Sequence, residues 1–167
     1  MFKFCPYCGY EVDKQEKDGF QCFNCKKWTY YSSSPAVSIL VKVKNESLLV
    51  IRGIDPGKGE DDIVGGFLEY SEEPIAGAIR EFKEEVGITL DPSKLEFFGN
   101  WIGEYFYQGK NQFVLNIIYL IELDEKFEGN PASDVESLHW INISKTPKFA
   151  FSYLQDVWKK LQKKYSN

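Results

Sequence analysis

The chain holds 167 residues with a formal net charge of −5; it is 43% hydrophobic and 27% charged, with 13 glycines and 7 prolines. These values exclude collagen-like and low-complexity compositions and leave room for one main domain with, at most, a small satellite module. The acidic balance gives no global attraction to nucleic-acid phosphates or an anionic membrane, and the longest apolar stretch, residues 113–121 interrupted by Asn116, falls far short of the roughly 20 residues that span a bilayer.

The first residues lack the apolar run of a secretory signal, so a reducing cytoplasm is the expected compartment and disulfides are not expected. All four cysteines lie in one early cluster, Cys5 and Cys8, then Cys22 and Cys25 after thirteen residues. A two-residue gap lets a turn present both thiolates to one ion, and two such pairs complete the tetrahedron that zinc accepts. A redox-active pair and two disulfides are the other chemistries open to these residues; the repeated pattern without a strand-to-helix context favours structural zinc. Residues 1–31 therefore read as a zinc ribbon that folds around its metal, with residues 10–20 as its hairpin and Gly9 and Lys26 suited to the turns after each pair.

Residues 32–35, Ser-Ser-Ser-Pro, read as a linker, and residues 36–167 as a second domain. Two β-branched runs, 36–43 and 48–51, flank a short polar turn and predict an antiparallel hairpin. A glycine loop follows at 64–69. Residues 73–86 carry helical spacing in Ile75, Ile79, Phe82 and Val86, with Gly87 as the stop. Strands are predicted at 95–101, 104–107, 113–123 and 138–143, and a last helix at 152–165 with Leu154, Val157, Trp158, Leu161 and Tyr165 on its apolar side.

Wound as a helix, residues 73–86 place Glu81, Glu84 and Glu85 within one arc and the apolar set on another face. Three acids in a turn and a half repel one another and raise each other's pKa, a penalty that a hard divalent cation removes. Gly77 shares the acidic face and costs roughly 1 kcal/mol relative to alanine, which a packing or access role would explain. Taken alone, such a Glu run is a solvated surface; its place between a glycine loop and a glycine stop argues for a unit.

Read from Gly66, the segment Gly66-x5-Glu72-x7-Arg80-Glu81-Phe82-x-Glu84-Glu85-x-Gly87-Ile88 resembles the Nudix box. The resemblance covers the chain from about Pro35 onward. It implies an α+β fold, an α/β/α sandwich with a mixed sheet, preceded here by the small zinc ribbon. It also implies hydrolysis of a nucleoside diphosphate linked to another group, with magnesium or manganese. Carried over to this chain, it makes Glu81, Glu84 and Glu85 the catalytic metal ligands, Arg80 and Glu72 the orienting residues, and Gly65, Gly66 and Phe67 the substrate-side loop. Glu69 is a peripheral metal contact in this reading, and Val64 replaces the proline common before the paired glycines. The box leaves the general base open among Glu122, Glu125, Glu128, Asp134 and Glu136, with Glu125 favoured.

A four-cysteine ribbon before such a domain resembles the layout of NADH pyrophosphatases, which commonly form homodimers, although residues 89–98 lack their Ser-Gln-Pro-Trp-type stretch. The expected substrate is thus a small nucleotide, ADP-ribose-like or a dinucleotide such as NADH. Aromatic residues in 100–108, with Phe67, could stack on a base, although strand aromatics are more often core. His139 and the basic last helix read as structural and solvated features. A rival from another class is a nucleotide-sensing or RNA/protein-binding module with little catalysis. Nucleic acid is not the expected partner, because Lys3, Lys14, Lys17, Lys26 and Lys27 are offset by Glu11, Asp13, Glu16 and Asp18, and the intact acid set favours an enzyme.

Overall fold

A computed structural model describes residues 2–107 and 109–166; Gln108, the last residue of the aromatic-rich stretch, and the side chain of Tyr107 lie outside the described residues. The chain divides between Ser33 and Ser34 into two compact units.

The first unit is built on the cysteines. β1 (Gly19–Gln21) pairs antiparallel with β2 (Trp28–Tyr30), Gly19 opposite Tyr30. The hairpin therefore encloses the second cysteine pair rather than filling residues 10–20, because the turn after Cys22 is what reverses the chain. Gly9 and Lys26 both take the left-handed conformation, at φ 70° and 60°, and their N–H groups return to the carbonyls of Cys5 and Cys22 at 2.9 Å. Its core is Cys5, Phe20 and Cys22, too little apolar surface to fold without a staple.

The second unit begins at Ser34, so the expected linker 32–35 is cut short. Ser34 and Pro35 already belong to β3 (Ser34–Val43), which pairs in parallel with β8 (Lys110–Leu123). A seven-stranded mixed sheet runs β5 (Asp61–Asp62), β4 (Glu46–Arg52), β3, β8, β7 (Glu96–Tyr107), with β6 (Val64–Phe67) on β3 and β9 (Val135–Asn142) on β4. The two strands expected at 95–101 and 104–107 are one, β7, with a register shift between Phe97 and Gly99.

Alternation along β3 divides the core. Val37, Ile39 and Val41 pack with Ala78, Phe82 and Val86 of α1 (Pro74–Val86). Leu40, with its side chain on the opposite face, packs with Leu154, Val157, Trp158 and Leu161 of α2 (Tyr153–Tyr165). Phe82 is fully buried, and its truncation to alanine would cost roughly 3–5 kcal/mol. The result is the α/β/α sandwich. Among the described residues no helix is long and apolar enough to cross a membrane.

α1 is delimited as its ends require. Proline occupies its first position, where no N–H is needed, and Gly87 closes it at φ 79° with its N–H on the carbonyl of Lys83 at 2.9 Å.

Candidate active site

One arginine folds the segment between β6 and α1 back onto the helix. Arg80 grips Glu72 with Nε on Oε1 and Nη2 on Oε2, both at 2.9 Å, and Nη2 also reaches the carbonyl of Phe67 at 3.2 Å. These hydrogen bonds, with the N–H of Glu69, hold the Glu72 carboxyl down to about 2. Arg80 Nη1 donates to Glu81 Oε1 at 2.8 Å and to Glu84 Oε2 at 3.3 Å.

The glycine turn exists to let the backbone meet these acids. A Cβ on Gly66 would stand 2.6 Å from Glu81 Cδ, and one on Gly65, at φ 156°, would fall 2.1 Å from the Val37 carbonyl. The turn is in part a strand, since Gly65 and Gly66 pair with Ser38 and Val37. Glu85 accepts the N–H of Gly65 at 3.0 Å. It is only 7% exposed, and burial, reinforced by the charges of Glu81, Asp62 and Asp134, pushes its carboxyl up to about 8. Burial likewise raises Glu81, against the pull of Arg80. Gly77 serves packing: a Cβ there would come within 2.4 Å of Leu68.

Glu85, Gly65, Gly66 and Phe67 line a cleft of about 330 Å³. Its far wall is aromatic. Tyr105 meets Phe67 edge-on at 5.8 Å and Phe151 at 5.8 Å, and the Arg52 guanidinium lies 5.0 Å from the centre of the Phe151 ring. Arg52 Nη1 is paired at 2.8 Å with Asp62, whose burial raises its carboxyl despite that partner. Tyr153 donates to Asn116 Oδ1 at 3.1 Å deeper in the wall. Glu104 and Asp134 also line the cleft.

Of the sequence-derived site residues, Glu81, Glu84, Glu85 and Arg80 are brought together, and Glu85 opens on the cleft beside Gly65, Gly66 and Phe67. Glu125 is not. It is exposed past the end of β8, whereas Val114 and Asn116, near the start of that strand, line the cleft. Nine residues of extended chain from Asn116 to Glu125 span roughly 30 Å. Asp134, another candidate for the base, does reach the wall. Sequence reasoning missed Arg52, Asp62, Asn116, Phe151 and Tyr153. One signal was available: the chain has only two arginines, Arg52 and Arg80, among 20 basic residues, and both are engaged here.

The acids suit a divalent cation. Oxygens of Glu81 and Glu84 converge on one guanidinium nitrogen, and burial disfavours charge on Glu85 until a cation balances it. They form an open set rather than a closed cage, as a site that keeps waters and grips phosphate oxygens would. The cysteines are the closed set: all four ligand atoms lie within 4.8 Å of one another. Cys5 and Cys25 Sγ are 3.8 Å apart, and Cys8 and Cys22 Sγ 3.7 Å. A tetrahedron of Zn–S bonds of about 2.3 Å has edges of about 3.8 Å, which these two spacings match, so the donor set suits zinc. The N–H of Tyr10 holds the Cys8 thiol down to about 6, while burial and the neighbouring thiols push Cys25 up to about 11, so ionising all four calls for a cation among them.

A mixed sheet between two helices, with an acidic helix tucked under a glycine turn at one end of a cleft, defines a loop–helix α/β/α domain. The NUDIX domain model matches residues 33–158, and the chain belongs to that family. The NAD-capped RNA hydrolase ndx-9 of Caenorhabditis elegans is 30% identical over 93 residues, 54% of this chain and 25% of that protein. A NUDIX hydrolase from Nitrosomonas europaea superposes with a TM-score of 0.67 at 21% identity, over 99% of this chain and 94% of that chain. A bifunctional NMN adenylyltransferase/ADP ribose pyrophosphatase from Francisella tularensis, complexed with AMP and a manganese ion, superposes with a TM-score of 0.64 at 24% identity, over 80% of this chain and 42% of that chain. The chain spans only a quarter to a third of the length of the curated relatives it matches.

Proposed function

We propose that the chain hydrolyses the pyrophosphate bond of a nucleoside diphosphate linked to another group, of the ADP-ribose or dinucleotide kind. The observation that carries this reading is that Glu85 and the aromatic wall of Phe67, Tyr105 and Phe151 face one cleft. A base and a pyrophosphate need those two surfaces in one enclosure. The names of the relatives agree: one acts on NAD-capped RNA and a structural neighbour on ADP ribose. RNA carrying a dinucleotide end therefore joins the substrate candidates, against the expectation that nucleic acid is not a partner.

Glu81, Glu84 and Glu85 would hold magnesium or manganese, which supplies charge neutralisation on the phosphates and a water of lowered pKa. The chain's own contribution is positional. Gly65 holds Glu85, Arg80 pins the loop through Glu72 and the Phe67 carbonyl, and the rings shield the bond from bulk water. Glu104 and Asp134 replace Glu125 as the groups placed to accept a proton. Residues 1–33 would act as a zinc-stapled module, and the exposed Ile102 and Phe106 of the edge strand β7, with Phe113 of its neighbour β8, offer a surface for a homodimer.

The test is a hydrolysis panel in magnesium and in manganese containing ADP-ribose, NADH, NAD, FAD, diadenosine polyphosphates, an NAD-capped oligoribonucleotide and nucleoside triphosphates. Turnover of diphosphate-bridged compounds ahead of triphosphates supports the reading; tight binding with no turnover of any compound transfers it to a nucleotide sensor.

A further inference from the structure

The proposed hydrolysis leaves one conspicuous surface of the molecule without a task. Each gap between paired cysteines holds an aromatic ring, Tyr7 in the first and Phe23 in the second. They are 57% and 73% exposed, although Cys5 and Cys22, one ligand position of each pair, are buried. The turns that carry them are closed by the N–H groups of Gly9 and Lys26 on the carbonyls of Cys5 and Cys22.

Both rings carry a cation. Lys26 Nζ lies 4.2 Å from the centre of Phe23, and Lys27 Nζ 4.8 Å from that of Tyr7. Lys27 follows the second cysteine pair yet covers the ring of the first, so a cation of the second tip meets the ring of the first. The spacing of 3.7 Å between Cys8 and Cys22 Sγ holds the two tips side by side. Lys3 repeats the arrangement over the exposed ring of Phe4 at 5.5 Å.

Outward rings bordered by ammonium groups suit a ligand that offers flat faces and spaced negative charges together. Single-stranded nucleic acid does so: its bases stack on aromatic faces while its phosphates meet the lysines. An apolar protein face would strip water from Lys26 and Lys27 without pairing them, and a second copy would bring like charges together. Glu11 and Asp13 share the open cleft beside Phe23 and Lys26. They repel the phosphates of any nucleic acid, so the preference falls on base stacking, which a single strand offers and a duplex, with its bases hidden, does not.

We propose that Tyr7 and Phe23, with Lys27 and Lys26, form a stacking surface for single-stranded RNA. The surface needs no turnover; only the choice of RNA over DNA rests on the function proposed above.

The experiment is fluorescence anisotropy of a labelled single-stranded RNA of twelve nucleotides against the full zinc-loaded chain, with the matching DNA strand and the RNA duplex as further probes. The Tyr7→Leu/Phe23→Leu variant keeps apolar bulk and removes the π faces, and Lys27→Gln removes one cation. The expected result is affinity in the order single-stranded RNA, single-stranded DNA, duplex, with about a tenfold loss in the double leucine variant and a smaller loss in Lys27→Gln. Unchanged binding in the double variant, no binding by the parent chain, or preference for the duplex overturns the proposal. So does a loss of self-association in sedimentation with RNA binding intact, which would give the rings to a second copy. Hydrolysis of free NADH by the same variants reads the other proposal separately and is expected to stay at the parent level.

Discussion

The main-chain N–H of Gly65 and the carboxylate of Glu85, twenty positions apart, are joined at 3.0 Å, so the last turn of α1 is tied directly to β6. That bond aims a buried carboxylate at the cleft and explains why the chain needs its paired glycines. A side chain at 65 would collide with the Val37 carbonyl, which belongs to the central strand and cannot yield, whereas one at 66 meets the flexible end of Glu81. Gly65→Ala should therefore lose roughly 2–3 kcal/mol of stability. Gly66→Ala should fold with a smaller loss and show a fall in kcat of about tenfold or more. Urea denaturation and steady-state kinetics on both variants separate the two effects.

The raised carboxyl of Glu85 makes metal binding a proton release. Its folded value of about 8 stands above the ordinary 4.5, so in metal-free protein its contribution to stability is present below about 4.5 and is lost as pH rises through 8. Glu72, held down to about 2, works the other way, and its contribution is lost only in acid. Manganese should accordingly raise the melting temperature more at about pH 8 than at about pH 5.5. Calorimetry with and without the ion checks this, and an equal shift at both pH values would contradict it.

Asp61 fastens the aromatic wall. Its Oδ1 lies 2.7 Å from His139 Nε2 and its Oδ2 accepts the N–H of Lys148 at 3.0 Å, while its own N–H and carbonyl bond to Lys148 and Ala150 at 2.9 Å. The strap so held leads straight into Phe151. Asp61→Ala should raise KM for a base-bearing substrate about fivefold while changing kcat less than twofold, because the acids of α1 are untouched. Kinetics on NADH checks the split, and Asp61→Asn, which keeps an acceptor for Lys148, should recover part of it.

Much of the site was legible before any coordinates. The cysteine spacing and the glycine loop, amphipathic helix and glycine stop are local patterns, and local geometry honours them. What was not legible is non-local. Arg52, Asp62, Asn116, Phe151 and Tyr153 converge from β4, β5, β8 and α2 with its lead-in, and no spacing in one dimension brings them together. Glu125 lies apart from the cleft for the same reason, since the long strand β8 carries the chain away from it. The break expected at 102–103 is absent because Ile102 and Gly103 stay paired in register with Leu115 and Val114; the irregularity in β7 lies at Phe98 instead. Glu125→Ala should leave kcat within about twofold of the parent, whereas Asp134→Asn or Glu104→Gln should lower it by roughly tenfold or more, read by the same assay.

Zinc removal should act on one unit only. The first unit has a core of only Cys5, Phe20 and Cys22 and would be held together by its zinc, while the second has two apolar layers around the sheet. Treatment with a chelator should expose residues 2–33 to trypsin and leave the melting transition of the second unit in place.

The most direct test of the account is the Glu85→Gln variant assayed for cleavage of NADH into its two mononucleotides in saturating manganese. The account predicts a fall in turnover of at least about a hundredfold, together with a higher melting temperature than the parent in metal-free buffer near pH 8, because the glutamine keeps the acceptor for Gly65 and removes the disfavoured charge. Turnover at the parent level would contradict it, since the buried carboxylate facing the cleft would then have no part in the chemistry.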